Sequence, residues 1–115
     1  YAATPQPVLD QWAREADLIV LESGMAPIFM ARLRACAPRA RFVYVASDAL
    51  ETIGCDAAVE RALARHADAF DVIALPSPLL ARDFPPGSRL AHIPHGLDER
   101  VLGARAAPSP YGPGA

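Results

Sequence analysis

Lysine is absent from these 115 residues, so arginine carries all of the side-chain positive charge. This reads as a bias of genome composition. Positive charge is not in excess either: the formal net charge is −2. A nucleic-acid binder usually presents a basic stripe that offsets phosphate charge, so that class is set aside. Cysteine is scarce. Cys36 and Cys55 are the only two, have no metal-ligand spacing, and read as buried free thiols without assigned chemistry. No apolar run approaches the roughly 20 residues needed to cross a bilayer, and the start lacks a basic, apolar, small-residue leader. A soluble, cytoplasmic domain is the expectation. The dinucleotide fingerprint G-x-G-x-x-G is also missing, which argues against a Rossmann-type cofactor on this domain.

Hydrophobic residues are plentiful at 52%, enough for the core of about one domain. They fall into short runs. Leu18-Ile19-Val20-Leu21, Phe42-Val43-Tyr44-Val45-Ala46, Asp71-Val72-Ile73-Ala74-Leu75 and Arg89-Leu90-Ala91-His92-Ile93 read as strands. The first is continuously apolar, as in a strand buried on both faces, and the second is rich in β-branched and aromatic residues.

Helical patterns lie between them. Pro7 suits the first turn of a helix with Leu9, Trp12, Ala13 and Ala16 on one face. A second helix is predicted with Met25, Ile28, Phe29, Leu33 and Cys36 along one side and Pro27 near its first turn. Arg32, Arg34 and Arg39 fall near its far end, either as a solvated, dipole-friendly terminus or as a contact for an anionic partner. A third, over residues 56–67, places Val59, Leu63, His66 and Phe70 inside and Glu60, Arg61 and Arg65 outside. Ser77-Pro78 opens a short helix that ends at Pro85-Pro86-Gly87. Strands and helices alternate over short connections, which predicts an α/β, Rossmann-like parallel sheet flanked by helices. Residues 1–107 form this domain. The chain opens without an initiator Met, and the Pro- and Gly-rich residues 108–115 read as the start of an interdomain linker, so a piece of a longer protein is expected.

Each strand ends on polar residues: Glu22 and Ser23, Ser47 and Asp48, Ser77, and His95. In a parallel sheet these collect along the carboxyl edge, where open α/β folds place ligands. Asp48, just past a buried strand, is placed to accept a proton from a hydroxyl; the alternative is an Asp capping the next turn. Glu22 either orients a hydroxylated ligand or makes a structural hydrogen bond. In His92-Ile93-Pro94-His95-Gly96-Leu97-Asp98, the pair His95 and Asp98 reads as a proton-transfer pair, a metal pair or a structural turn around Gly96. No third ligand of clear spacing supports the metal reading.

The order Asp17-Leu18-Ile19-Val20-Leu21-Glu22-Ser23-Gly24, Ala46-Ser47-Asp48, Asp71-Val72-Ile73-Ala74-Leu75, Ser77-Pro78, His95-Gly96-Leu97-Asp98 and Pro108-Ser109-Pro110-Tyr111 resembles the N-terminal half of a GT-B glycosyltransferase. More narrowly, it resembles the GumK-type glucuronosyltransferases of xanthan-like exopolysaccharide synthesis. The resemblance implies an inverting, metal-free transfer of glucuronic acid. The donor, UDP-glucuronic acid, would sit on a missing C-terminal domain. The acceptor, a polyprenyl-diphosphate-linked oligosaccharide, would bind here, on a domain truncated at its N-terminus and inactive alone. The family's catalytic Asp falls on Asp48. Asp98 matches an acidic position of the family, and Asp83 stands where the family has Glu, both expected to shape the cleft or the domain junction. Val45 and Ala49 replace an Arg and a Gly that flank the Ala-Ser-Asp stretch elsewhere in the family. A lipid-linked acceptor further implies peripheral inner-membrane contact through Arg32, Arg34 and residues 25–30. A non-catalytic sugar- or protein-binding module, and a GT-B enzyme of another family, are the rival readings.

Overall fold

In the computed structural model, which describes residues 5–96 and 99–103, Pro7 opens helix α1 (Pro7–Glu15). A missing N–H is harmless in that first turn. Asp98 and the predicted linker 108–115 lie outside the described residues. Strand β1 (Leu18–Glu22) follows, then a 3₁₀ turn (Ala26–Phe29) that runs into α2 (Met30–Cys36). The single helix predicted here is therefore two pieces. Its first turn is tightened to 3₁₀ hydrogen bonding, beginning with the Ile28 amide on the Met25 carbonyl at 3.1 Å. Next come β2 (Arg41–Val45), α3 (Ala57–His66) and β3 (Val72–Leu75). Asp56 caps α3 by accepting from the Ala58 amide at 2.7 Å. Ser77 caps a 3₁₀ helix (Pro78–Asp83) through the Leu79 amide at 3.4 Å. Strand β4 (Leu90–His92) and the short α4 (Glu99–Leu102) complete the order.

The four strands form one parallel sheet in the order β1-β2-β3-β4. Strand order equals chain order, so right-handed crossovers carry α2 and α3 to the same face. Ile19, Leu21, Phe42, Tyr44, Ile73 and Leu75 point to that face and meet Ala13, Met30, Leu33 and Leu63 in a single core. Phe42, Phe70, Met30 and Ile73 are fully buried there. His66 sits half-buried at the core's edge.

Three expectations need correction. Leu18 and Val20 are 56% and 55% exposed, because strand alternation aims them at the opposite face, which no described helix covers. The strand is thus buried on one face, not two. Trp12 is 67% exposed, since α1 meets the core through Leu9 and Ala13, one turn apart, and the indole falls outside that contact. Cys36 and Cys55 are free but half-buried.

Candidate active-site cleft

At the carboxyl edge the β1–β2 ladder continues past the strands, with the Ser23 amide donating to the Val45 carbonyl at 3.1 Å. Gly24 then turns the chain at φ 135°, a conformation open to a residue without Cβ. Ser23 Oγ accepts from the Ser47 amide at 2.8 Å and donates to the Val45 carbonyl at 3.3 Å. Ser47 Oγ donates to Glu22 Oε1 at 2.8 Å. Two adjacent strand ends are thereby fastened by side chains where their ladder stops. Glu22 takes the structural role that the sequence left open beside ligand binding.

Asp48 follows directly and is exposed. It lines a cleft of about 700 Å³ together with Glu22, Ser23, Ser47, Asp56 and an apolar wall that includes Met25 and Ile53. Of the three carboxylates there, Glu22 accepts from Ser47 and Asp56 caps α3. Among the described residues no donor engages Asp48, which does not cap the next turn. A carboxylate free of internal partners has both oxygens available to an incoming hydroxyl.

Asp83 lies behind the cleft. Its Oδ2 accepts the Leu50 amide at 3.1 Å, tying the loop that carries Asp48 to a segment 33 residues further on. Arg82 pairs with Glu51 in the same loop, so the loop is held at successive residues. Below it Tyr44 packs against Phe70 and Phe84, ring centroids 5.3 and 5.9 Å away, and burial pushes its hydroxyl above the usual range. Cys55 is on the cleft wall; burial first, then Glu60 and Asp56, raises its thiol, which disfavours the thiolate.

The other predicted residues sit elsewhere. His95 lines a second hollow of about 410 Å³ over Val43, Val45 and Val72, and among the described residues Ser47 alone borders both spaces. His95 and Asp48 thus line different hollows that meet at Ser47. Arg32 does not offer a free cation for an anionic surface: it forks onto Asp10 at 2.6 and 2.9 Å. Met30 and Pro27 are buried, leaving Met25 as the strongly exposed apolar residue of that stretch. The role of Asp56 in the cleft, and the tether from Asp83 to Leu50, were missed by sequence reasoning. The helix-cap pattern marked Asp56, whereas no local signal marks a side chain reaching across 33 residues.

The family described as glucuronosyltransferase GumK, N-terminal domain, matches residues 1–76. The chain belongs to that family. It is also 42% identical over 114 residues to a UDP-glucuronate:glycolipid 2-beta-glucuronosyltransferase of Xanthomonas campestris pv. campestris. That match takes in 99% of this chain and 28% of the relative's length. The parallel sheet with flanking helices is thus the GumK N-terminal architecture, and the cleft at its carboxyl edge is a feature of a GumK N-terminal domain. None of its described helices is long and apolar enough to cross a membrane.

Proposed function

We propose that this chain is the acceptor-binding part of an inverting glucuronosyltransferase, with Asp48 as the general base. The carrying observation is the Asp48 carboxylate, open in the cleft and without a partner among the described residues, on a loop held from behind by Asp83. In the proposed step an acceptor hydroxyl in the cleft attacks the anomeric carbon of UDP-glucuronic acid. A carbon–oxygen bond forms on one face of the sugar while the bond to UDP breaks on the other. The hydroxyl proton passes to Asp48, and the leaving diphosphate takes the electron pair. The donor would be held by polypeptide outside these residues, in keeping with the share of the relative that they span. Ser47 and Glu22 would hold the cleft wall, and no cofactor or metal enters the reading.

The acceptor class follows the relative, whose name specifies a glycolipid. We place a lipid-linked oligosaccharide in the cleft, with the protein working peripherally at the cytoplasmic face of the inner membrane. Flotation with anionic vesicles checks the membrane part, with co-flotation at low salt expected. For the chemistry, Asp48→Asn in the protein carrying this chain should lower kcat by about 10²–10⁴-fold, the range for removing a general base. Binding of UDP-glucuronic acid should be unchanged in an equilibrium titration. Near-normal transfer by the variant removes Asp48 from the mechanism.

A further inference from the structure

Ser23 makes a rung of the sheet with its side chain. Where β2 meets β1 the Arg41 amide donates to the Asp17 carbonyl at 2.9 Å, and the parallel register runs from Leu18 beside Arg41 to Glu22 beside Val45. Such rungs recur at every second residue, so the one just beyond the strands would join the Ser47 amide to the Ser23 carbonyl. The Ser47 amide is held instead by Ser23 Oγ at 2.8 Å. Ending the ladder on a hydroxyl leaves the β1 backbone free to turn aside at Gly24, φ 135°. The residues that follow on each chain, Gly24 and Asp48, both line the cleft.

That hydroxyl has little left for a ligand. Its proton goes to the Val45 carbonyl at 3.3 Å and one lone pair to the Ser47 amide. Asp48 is exposed and has no partner of its own among the described residues, so the backbone that carries it sets where its carboxylate stands. On the upstream side the Ala46 amide is held by β3, on the Ala74 carbonyl at 3.0 Å; one residue on, the hold passes to Ser23. The contact of Ser47 Oγ with Glu22 joins two side chains at an exposed position, whereas the Ser23 contact holds the main chain itself. Without Ser23 Oγ, the Ser47 amide keeps the Val45 carbonyl at 3.1 Å, a bond two residues back in its own chain that reaches no other strand. We propose that Ser23 is a positioning residue: through the Ser47 amide its hydroxyl fixes where the Asp48 carboxylate meets the acceptor hydroxyl. The proposal rests on Asp48 as the general base and adds the residue that aims it.

The test is transfer from UDP-glucuronic acid to a polyprenyl-diphosphate-linked oligosaccharide by the protein carrying this chain. Ser23→Ala keeps the backbone bond from its own amide to the Val45 carbonyl, so the sheet is retained. It should lower kcat by about tenfold with KM for the acceptor nearly unchanged. Ser23→Thr, which keeps the hydroxyl, should restore most of the rate. Asp71→Asn, which loosens β2 and β3 at the opposite end of the sheet, should keep the wild-type kcat and so separates aim from general stability. In an Asp48→Asn background the Ser23→Ala change should cost nothing further, because groups that act as a unit are not additive. A rise in KM without a fall in kcat overturns the proposal. So does an equal loss in the Ala and Thr variants, or the same loss repeated beside Asp48→Asn. Full activity of Ser23→Ala together with a slow Asp48→Asn sinks the positioning role alone, whereas near-normal transfer by Asp48→Asn sinks the functional reading on which it rests.

Discussion

The Leu50 amide, two residues beyond Asp48, is held at 3.1 Å by a carboxylate that does not itself line the cleft. Removing that acceptor in Asp83→Ala leaves a partly buried N–H without a partner, which costs about 1–3 kcal/mol. The loop then samples positions in which Asp48, the proposed base, misses the hydroxyl. In the protein carrying this chain we expect kcat to fall by about tenfold with KM nearly unchanged, while Asp83→Asn, which keeps an oxygen acceptor, restores most of the rate. An equal loss in both variants would show that the charge, not the tether, matters. The placement of Asp48 was legible from the sequence, because a polar pair directly after an apolar strand must sit at the sheet edge. Its tether was not, because a hydrogen bond spanning 33 residues leaves no periodic trace.

Among the elements, β2 and β3 are joined at their amino ends by Asp71. Its carboxylate accepts from the Phe42 amide at 2.9 Å and from Arg41 Nη1 at 3.1 Å. The Phe42 hydrogen bond first, then Arg41, holds the carboxyl below its ordinary value of 3.8. A depressed carboxyl contributes stability that is fully present above the unfolded value and is lost as pH falls through the folded one. Thermal unfolding followed from pH 7 downward should therefore show an acid-side loss, beginning near that ordinary value, that Asp71→Asn reduces without removing, because Arg32 holds the Asp10 carboxyl low as well. The helix layer depends on burial instead. Leu63, 1% exposed in the core, should cost about 2–5 kcal/mol when cut to Ala, read as a shifted denaturant midpoint. Periodicity located α1 and α3 well. It failed at Trp12, where hydropathy counts an indole as core although the contact is made by Leu9 and Ala13, and at residues 25–36, where spacing alone does not separate a 3₁₀ turn from an α-helix.

For the molecule as a whole, the sheet is covered by helices on one side only among the described residues. Leu18, Val20 and Ile93 stand 56%, 55% and 57% exposed on the other. Parallel sheets are rarely stable with an apolar face in water. The 115-residue chain produced alone should bind the dye ANS and elute as a self-associated species, and Val20→Thr with Ile93→Thr should reduce both signals; a monomer without dye binding would count against this. The continuous apolar run in β1 did carry the message that both faces want cover, but a run of residues cannot say what supplies it. A last consequence comes from strand order matching chain order. Such a sheet opens like a zip, from either end. Fraying of β4 leaves Glu22, Ser47 and Asp48 seated together, whereas peeling away β1 removes Glu22 and Ser23 and lets go of the Ser47 amide. Local opening at one margin is therefore harmless to the proposed chemistry and at the other ends it.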